Sequence, residues 1–408
     1  MTSTQGRLLD AAVAVFAMHG YHAAAVQDVA DAVGIQKPSV YKHFRSKEDL
    51  LVGCLARGHT LREEVIDHVA ALDASPSARL HEYLRLYVET MLRHRELSAV
   101  FVREWVHLGA AARAVDLERR RIRRHLLADL VEQAAPDGVD AALVATYLKG
   151  ALHAALDWYH EAGREPLEAV TGKLADLGCA LVAAAPRAPS STQSSDVPLG
   201  RVIGARAPRS RRDAIDDAAL RVVRSKGFAA TTVQDVAAEA GVLKGSIYHY
   251  VSSKDELLMR IFEAAHLELT TIVGTVAQLD AAPLDQLCEL VRLQVNWFLA
   301  NLDQAVVLFR EWPFLTGENR RVVADRRRGL ERFAKRLLAD HVAGVDSGSD
   351  PGITVRFALG AANAVSSWYR PDGTWDPDLV ARAYSELTRG LVESESVPGA
   401  KPTGSVSR

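Results

Sequence analysis

At 408 residues the chain has room for two or more hydrophobic cores, and with 48% hydrophobic and 25% charged residues it has the composition of a soluble globular protein. A formal net charge of −2 excludes a uniformly basic coat for nucleic acid but allows local basic patches. Three widely spaced cysteines without a CxxC pair argue against a disulfide framework or a cysteine zinc site and fit a reducing cytosol. No signal-peptide pattern or 18-residue apolar stretch is evident, so a cytoplasmic protein without a membrane segment is predicted.

The first predicted element is an amphipathic helix near the N-terminus. Leu8, Ala11, Ala12 and Phe16 follow the spacing i, i+3, i+4 and i+8, which places them on one face of a helix. Gly20 predicts the end of this helix, because glycine readily adopts the left-handed conformation that follows a helix C-terminus.

Two short helices are predicted next, over residues 26–33 and 37–44. Gly34 separates them, and Pro38 suits the first turn of the second helix because its missing N–H would be unpaired there in any case. Two short helices joined by a three-residue turn with a glycine form a helix-turn-helix unit. The segment Ser46-Lys47-Glu48-Asp49 has the pattern of a capping box and predicts the start of the following helix.

The same order of elements returns 207 residues later in the chain. Residues 26–51 and 233–258 agree at 13 of 26 positions, and Arg103-Glu104-Trp105 returns as Arg310-Glu311-Trp312. A period this long indicates a duplicated domain, because solenoid repeats recur every 20–50 residues. If that domain works as a symmetric dimer, the duplication places both halves of the dimer in one polypeptide.

Helical periodicity runs through both copies without a convincing run of alternating strand residues, so the predicted fold class is all-α. The predicted segments are a head at 1–50, a helical body at 51–185, a Pro/Ser/Gly-rich linker at 186–209, a second head at 210–257, a second body at 258–393 and a disordered tail at 394–408. The last two helices of each body, over 140–159 and 166–185 and over 351–369 and 377–392, are rich in small residues. We expect them to pair as the four-helix interface of an intrachain pseudo-dimer, with the heads roughly 34–36 Å apart, one DNA turn.

Several short motifs, each present twice, carry a family resemblance. They are Gly20-Tyr21 and Gly227-Phe228, the V-x-D-V-A segment, the K-x-S-V/I-Y segment and the S-K-E/D-x-L-L segment. In this order, after an amphipathic helix, they resemble the TetR family of bacterial repressors. The resemblance implies binding to double-stranded DNA as a two-fold dimer, with release when a small-molecule inducer fills a pocket in the helical body.

Carried over position by position, the resemblance implies which side chains contact DNA. We expect the major groove or the flanking phosphates to be contacted by these side chains: Lys37, Ser39, Lys42 and His43 in the first copy, and Lys244, Ser246, His249 and Tyr250 in the second. Tyr41 and Tyr248 match a family tyrosine whose ring packs inward while its hydroxyl reaches phosphate. Lys47 and Lys254 match a phosphate contact, and Thr232 matches the family threonine before the second helix. Because Ala25 aligns with Thr232 and Phe44 aligns with Val251, the two heads are not equivalent, and an asymmetric operator is expected.

The bodies contain candidate ligand-pocket residues, which are Arg103, Trp105, Phe309, Arg310 and Trp312. The arginines could hold an anionic ligand or pair with an adjacent acid, and the aromatic residues could equally serve core or interface packing. The basic runs 119–124 and 326–332 fit a solvated helix face, with contact to a bulky anion such as a CoA thioester as the second interpretation. No cofactor or metal is predicted.

The residues leave two further questions open, the role of an arginine-rich segment and whether both heads bind DNA. Residues 201–258 have a net charge of +3, and Arg201, Arg206, Arg209, Arg211 and Arg212 form either a DNA-binding arm or a solvated linker. An enzyme is not expected, because HExxH, GxSxG, Walker-type and strand-linked GxGxxG motifs are missing. The alternative to a DNA-binding regulator is a small-molecule- or protein-binding module in which one or both heads have lost DNA binding.

Overall fold

The computed structural model describes residues 3–160, 165–187, 210–343 and 351–395, and within these ranges the secondary structure is helical throughout, without strands. The all-α prediction is therefore confirmed. The first repeat contains α1 Thr4–Ala23, α2 Val26–Val33, α3 Lys37–Val40, α4 Lys47–Ala70, α5 Pro76–Arg93, α6 Arg95–Arg103, α7 Ala110–Ala134, α8 Ala141–His153, α9 Ala155–Trp158 and α10 Leu167–Ala183. The second contains α11 Arg211–Lys226, α12 Val233–Glu239, α13 Lys254–Ala277, α14 Pro283–Ala300, α15 Leu302–Arg310, α16 Gly317–His341, α17 Pro351–Trp368 and α18 Pro377–Glu395.

The core of each head contains the apolar face of its first helix, as the sequence periodicity predicted. Leu8, Ala12 and Phe16 are buried in α1, and they pack in one core with Val29 and Val40. Gly20 and Gly34 have φ angles of 72° and 74°, in the left-handed region where glycine is favoured. The second head repeats this arrangement, with positive φ at Gly227 and Gly241. Gly227 therefore ends α11 as predicted, whereas Gly20 makes a kink within α1, which continues to Ala23.

The third helix of each head is shorter than predicted. The sequence predicts helix over residues 37–44, but α3 ends at Val40 and a turn follows. In the second head the equivalent segment, Ser246–His249, is a 3-10 helix. Gly245 replaces Pro38 here, which removes a residue suited to the first helical turn and substitutes one that costs about 1 kcal/mol relative to Ala in a helix.

The helix that follows each of these segments begins at the predicted serine. Ser46 Oγ accepts from Asp49 N at 3.0 Å, and Ser253 Oγ accepts from Glu256 N at 3.1 Å. The return contact differs from a capping box, because Asp49 accepts from Arg45 N, one residue before the cap. In the second copy Glu256 likewise accepts from Ser252 N, at 2.8 Å. Only the hydroxyl half of the predicted capping box is therefore present in both copies.

The described residues fall into two compact units. One lies within Met1–Ala135 and Ala155–Cys179, and the other lies within Pro136–Ala154 and Ala180–Pro402. The second unit thus contains α8, a helix of the first repeat, together with the head and body of the second repeat. The predicted helix 140–159 is interrupted at Ala154, where α8 ends and α9 follows.

Within the second unit, α8 packs closely against α17. A Cβ placed on Gly150 would lie 2.7 Å from Ala364 Cβ, and one on Gly360 would overlap Ala154 Cβ. The Tyr147 hydroxyl lies 3.1 Å from Thr388 Oγ1, and the Tyr147 and Tyr384 rings have centroids 4.8 Å apart. Small residues therefore allow close approach of the helix backbones here, as the sequence predicted.

Two predicted segments lie mostly outside the described residues. These are the linker at 186–209, with Arg201, Arg206 and Arg209, and the tail. The prediction of a tail from residue 394 is wrong at its first positions, because α18 continues to Glu395 and Thr354 Oγ1 donates to the Glu395 carboxylate at 2.9 Å. Among the described residues, no helix is long and apolar enough to cross a membrane.

Candidate nucleic-acid interface

The second part of each helix-turn-helix unit, residues 37–44 and 244–251, is its recognition segment, and both recognition segments present polar side chains to solvent. Val40 and Ile247 are fully buried and fix the inward side of each segment. The side chains exposed around them are Lys37, Lys42 and His43 in the first head and Lys244, His249 and Tyr250 in the second. Ser39 and Ser246 are half-buried. A group of exposed donors on a short helical segment is the chemistry that reads base edges and phosphates in a major groove.

The family tyrosine has a different orientation from the one expected. Tyr41 and Tyr248 are 45% and 53% exposed, so the prediction that the ring packs inward is wrong. The buried residues Val40 and Ile247 directly precede them. Because neighbouring positions on a helix point about 100° apart, burial of one leaves the next turned toward solvent. Both tyrosines therefore belong to the exposed surface of the recognition segment.

Thr232 has a structural role in the second head. Its hydroxyl accepts from Asp235 N at 3.1 Å, and Asp235 accepts from Thr232 N at 2.9 Å, which forms a complete capping box at the start of α12. A hydrogen bond from Lys226, together with those from Thr232, lowers the pKa of Asp235 to about 2. In the first head Asp28 accepts from Ala25 N at 2.7 Å, but Ala25 has no hydroxyl to complete the box.

Lys47 and Lys254 bind backbone carbonyls within their own heads. Lys47 Nζ donates to His22 O at 3.1 Å and lies 4.5 Å from the centroid of the Tyr21 ring. Lys254 Nζ donates to Phe228 O and Ala229 O at 3.2 and 3.3 Å and lies 4.6 Å from the Phe228 ring. Burial lowers the pKa of Lys47. Both lysines therefore hold the chain at the C-terminal end of the first helix of their head.

A glutamate from each body binds the backbone at this same end of the first helix, a contact that sequence reasoning missed. Glu104 Oε2 accepts from Tyr21 N at 3.0 Å, and Glu311 Oε2 accepts from Phe228 N at 3.2 Å. The exposed fraction of Glu311 is only 1%. The repeated Arg-Glu-Trp motif was visible in the sequence, but its central glutamate was not singled out. This residue links head to body in both repeats.

The candidate pocket residues are occupied by protein contacts. Arg103 pairs with Asp157 at 3.2 Å, and Arg310 pairs with Glu311 while donating to Val223 O at 2.6 Å. The guanidinium carbon of Arg120 lies 5.1 Å from the Trp105 ring, and that of Arg327 lies 4.3 and 5.6 Å from the Trp312 and Phe309 rings. The arginines thus follow the ion-pair interpretation, and the aromatic residues stack on other arginines.

The duplicated fold and its two helix-turn-helix heads define a DNA-binding transcriptional regulator. A family model described as bacterial regulatory proteins, tetR family, matches residues 8–54 and 215–261. A second, described as tetracyclin repressor-like, C-terminal domain, matches residues 73–182 and 280–392. The chain belongs to the TetR family and carries the family's N- and C-terminal domains twice in tandem. It is a regulator and not an enzyme.

Individual relatives match about one repeat. The transcriptional repressor KstR2 of Rhodococcus jostii strain RHA1 is 29% identical over 190 residues, which are 43% of this chain and 88% of the relative. The transcriptional regulator BetI of Rhizobium meliloti strain 1021 is 29% identical over 185 residues, 45% of this chain and 88% of the relative. The solved structure of KstR2 of Mycobacterium tuberculosis matches at 24% identity with a TM-score of 0.43, covering 45% of this chain and 95% of that structure.

Proposed function

We propose that this TetR-family regulator is a cytoplasmic repressor that binds one operator with both of its heads and leaves it when a small-molecule inducer binds. The observation that carries the proposal is the exposure of polar recognition side chains in both copies. Lys37 and Lys244, and likewise Tyr41 and Tyr248, are identical residues at matching exposed positions of the two copies. This identity favours DNA binding by both heads. The contacts with DNA are assigned to these side chains and to His43, His249 and Tyr250.

The two repeats act as an intrachain pseudo-dimer in this proposal. The support is the packing of α8 from the first repeat against α17 of the second, with Gly150 and Gly360 at the closest approach. A dimer built inside one chain needs no second copy to hold two heads. Light scattering on the free protein is the direct test, with a single chain as the expected species and a dimer of chains as the largest compatible one.

The operator is asymmetric, because the exposed side chains of the two heads differ. His43 aligns with Tyr250, and Lys42 aligns with His249. Half-sites separated by about one helical turn, 10–10.5 base pairs, would be similar without being identical. A gel shift on DNA upstream of the gene and on genomic fragments tests this, and affinity should fall steeply with salt because phosphate contacts release counterions. No shift on either DNA would contradict the proposal.

The inducer in this proposal is a bulky hydrophobic anion, with acyl-CoA esters as the first candidates. The support for this class is that an arginine of each basic run lies beside aromatic rings, with Arg120 next to Phe101 and Trp105 and Arg327 next to Phe309 and Trp312. The contacts of Glu104 and Glu311 with the backbone near the end of the first helix of each head provide a route from body to head. Addition of a candidate ester to the protein–DNA complex tests the proposal, and release of the DNA is the expected result.

A further inference from the structure

Three arginines surround one phenylalanine ring inside the body of the first repeat. The guanidinium carbons of Arg62, Arg120 and Arg123 lie 4.0, 4.3 and 5.4 Å from the centroid of the Phe101 ring. Arg62 comes from α4 and is 3% exposed, and the other two come from α7. Arg120 and Arg123 are one turn apart in the basic run that the sequence analysis assigned mainly to a solvated face. Three of its other members, Arg119, Arg121 and Arg124, are exposed.

The hydrogen bonds around this cluster define its charge. Arg123 Nη1 lies 2.6 Å from His59 Nδ1, and an arginine can only donate, so His59 Nδ1 accepts and carries no proton. His59 Nε2 then donates to Asp116 Oδ1 at 2.8 Å, and the imidazole is neutral. Burial lowers the pKa of His59, in agreement with this tautomer. Asp116 also pairs with Arg120. Three guanidiniums therefore face one carboxylate, which leaves an excess of two positive charges.

Two of the guanidiniums are incompletely partnered. In the described part of the chain, Arg62 Nε and Arg123 Nη2 are buried without a hydrogen-bond acceptor, and neither side chain has a carboxylate within 4.0 Å. Burial lowers the pKa of Arg123 to about 10. Arg62 donates to Gly58 O at 2.9 Å and to Ser98 Oγ at 3.4 Å, so both arginines have neutral acceptors. Buried charges without a counter-charge are destabilising, and they are normally paired or coordinated in folded proteins. The cluster therefore has the composition of a site that receives an anion.

The second repeat has lost this arrangement. The positions aligned with Arg62 and Arg123 at the offset of 207 hold Leu269 and Leu330, and the position of Asp116 holds Val323. Arg327 retains the place of Arg120 and donates to Leu308 O at 2.8 Å, as Arg120 donates to Phe101 O at 2.7 Å. The conserved arginine therefore has a structural role in both repeats, and the additional charge belongs to the first repeat alone.

We propose that Arg62, Arg120 and Arg123 form an anion-binding site that takes the carboxylate or phosphate group of an amphipathic ligand, and that only the first repeat has one. The aromatic surface around the cluster fits an apolar ligand body, because Tyr83 and Tyr87 stack at 5.8 Å and Arg62 lies 5.7 Å from the Tyr87 ring. The regulatory part of this inference rests on the proposed function, because it makes the first body the sensor of the inducer. One anion binds per chain.

The test compares thermal unfolding of the full chain with and without three probes, which are inorganic pyrophosphate, palmitate and palmitoyl-CoA. At least one probe is expected to raise the Tm of the wild-type protein by several degrees. The double variant R62L/R123L carries the residues of the second repeat and should lose that shift. The matched control is R121L on the exposed side of the same helix, which should keep it. The single variant R123L replaces the double variant if the latter does not fold.

The same variants separate this site from the proposed function. R62L/R123L should bind operator DNA without ligand as the wild type does, but it should no longer be released by the active probe. Equal Tm shifts in wild type and R62L/R123L, or no shift with any probe, overturn the anion site. Release of DNA from both proteins alike overturns the site but leaves the inducible repressor intact. A Tm shift that depends on the arginines, in a protein that does not bind DNA, supports the site and contradicts the repressor.

Discussion

The carboxylate of Glu311 accepts a hydrogen bond from the backbone N–H of Phe228 at 3.2 Å, which joins the second body to the second head. The same carboxylate pairs with Arg310, and Arg310 donates to Val223 O and Arg224 O at the end of α11. Glu104 makes the equivalent contact with Tyr21 N, but Arg103 pairs with Asp157 instead. The junction of head and body is therefore built on the same glutamate in both repeats and is strengthened by an arginine only in the second.

Removing this glutamate is expected to affect the second repeat more than the first. Glu311→Ala leaves the buried Phe228 N–H without its acceptor and the partly buried Arg310 guanidinium without its counter-charge, and it should lower the free energy of unfolding by about 3 kcal/mol. Glu104→Ala should lower it by about 1 kcal/mol, because that carboxylate accepts from Tyr21 N while the Arg103 guanidinium pairs with Asp157. Urea denaturation monitored by circular dichroism measures both, with the exposed Glu318→Ala as control. Equal losses in the two repeats would refute the difference.

Substitutions of two lysines in the second head are expected to differ in their effects, one on protein stability and the other on DNA binding. Lys254→Met removes hydrogen bonds to the loop carbonyls and should lower stability by about 1–2 kcal/mol. Lys244→Met changes an exposed side chain and should alter stability by less than about 0.5 kcal/mol, but it should reduce the salt slope of DNA binding by about one. Thermal unfolding and salt-dependent gel shifts measure the two effects. A stable Lys254→Met protein would contradict the structural role.

Stability is expected to rise with pH because of a buried histidine. Burial lowers the pKa of His266 to about 4 from its usual 6.5, and its Nδ1 lies 2.7 Å from Phe262 O. Between these two values the unfolded chain binds a proton that the folded chain does not. Lowering the pH from 6.5 to 4 therefore destabilises the fold, by at most about 1.4 kcal/mol per pH unit from this group.

His266→Gln keeps a hydrogen-bond donor for the Phe262 carbonyl and removes the titration. Its Tm should depend less on pH between 4.5 and 6.5 than the Tm of the wild type. His125→Gln, on the exposed side of α7, should retain the wild-type pH profile. Parallel profiles for His266→Gln and the wild type would assign the pH dependence to other groups.

Two glycine-to-alanine substitutions are expected to have opposite effects on stability. One lies at the close contact between α8 and α17, and the other lies at an open position of α10. Gly360→Ala places a methyl group against Ala154 and should destabilise the protein by about 1–3 kcal/mol. Gly172 lies in α10 with nothing within 4 Å of an added Cβ, so Gly172→Ala should stabilise by up to about 1 kcal/mol through higher helix propensity. Urea denaturation curves give both values. Stabilisation by Gly360→Ala would show that the two helices are not in contact in solution.

The heads are expected to read different halves of the operator. His43→Tyr gives the first head the residue of the second, and it should change base preference in one half-site only. Tyr250→His should change the other half-site. Binding selection from a randomised operator library measures this preference for each variant. Changes in both half-sites with a single substitution would contradict the intrachain pseudo-dimer.

Helix periodicity and glycine positions predicted most of the fold, because these features act locally. The buried faces of α1 and α11 and the positive φ angles of Gly20 and Gly227 follow from spacing within a few residues. The inward turn of Arg120 and Arg123 was harder to predict. It depends on Phe101 and His59, which are far away in sequence, so the basic run alone fits a solvated face equally well.

The contacts of the candidate pocket residues were difficult to predict for the same reason, because their partners are distant in sequence. Arg103 and Arg310 were singled out for their tryptophan neighbours, but their ion-pair partners decide where the guanidinium groups lie. Asp157 is 54 residues from Arg103, and the carbonyl of Val223 is 87 residues from Arg310. Ion-pair geometry of this kind is set by tertiary structure and is not encoded in the spacing of a motif.

The packing of α8 on α17 has a consequence for how the protein responds to its own abundance. Because both helices belong to one polypeptide, their contact has an effective concentration set by the chain and does not fall when the protein is diluted. A regulator assembled from separate subunits loses its paired form as copy number drops. In this chain the fraction with two joined repeats stays constant, so occupancy of a DNA site should vary in proportion to the number of molecules even when few are present.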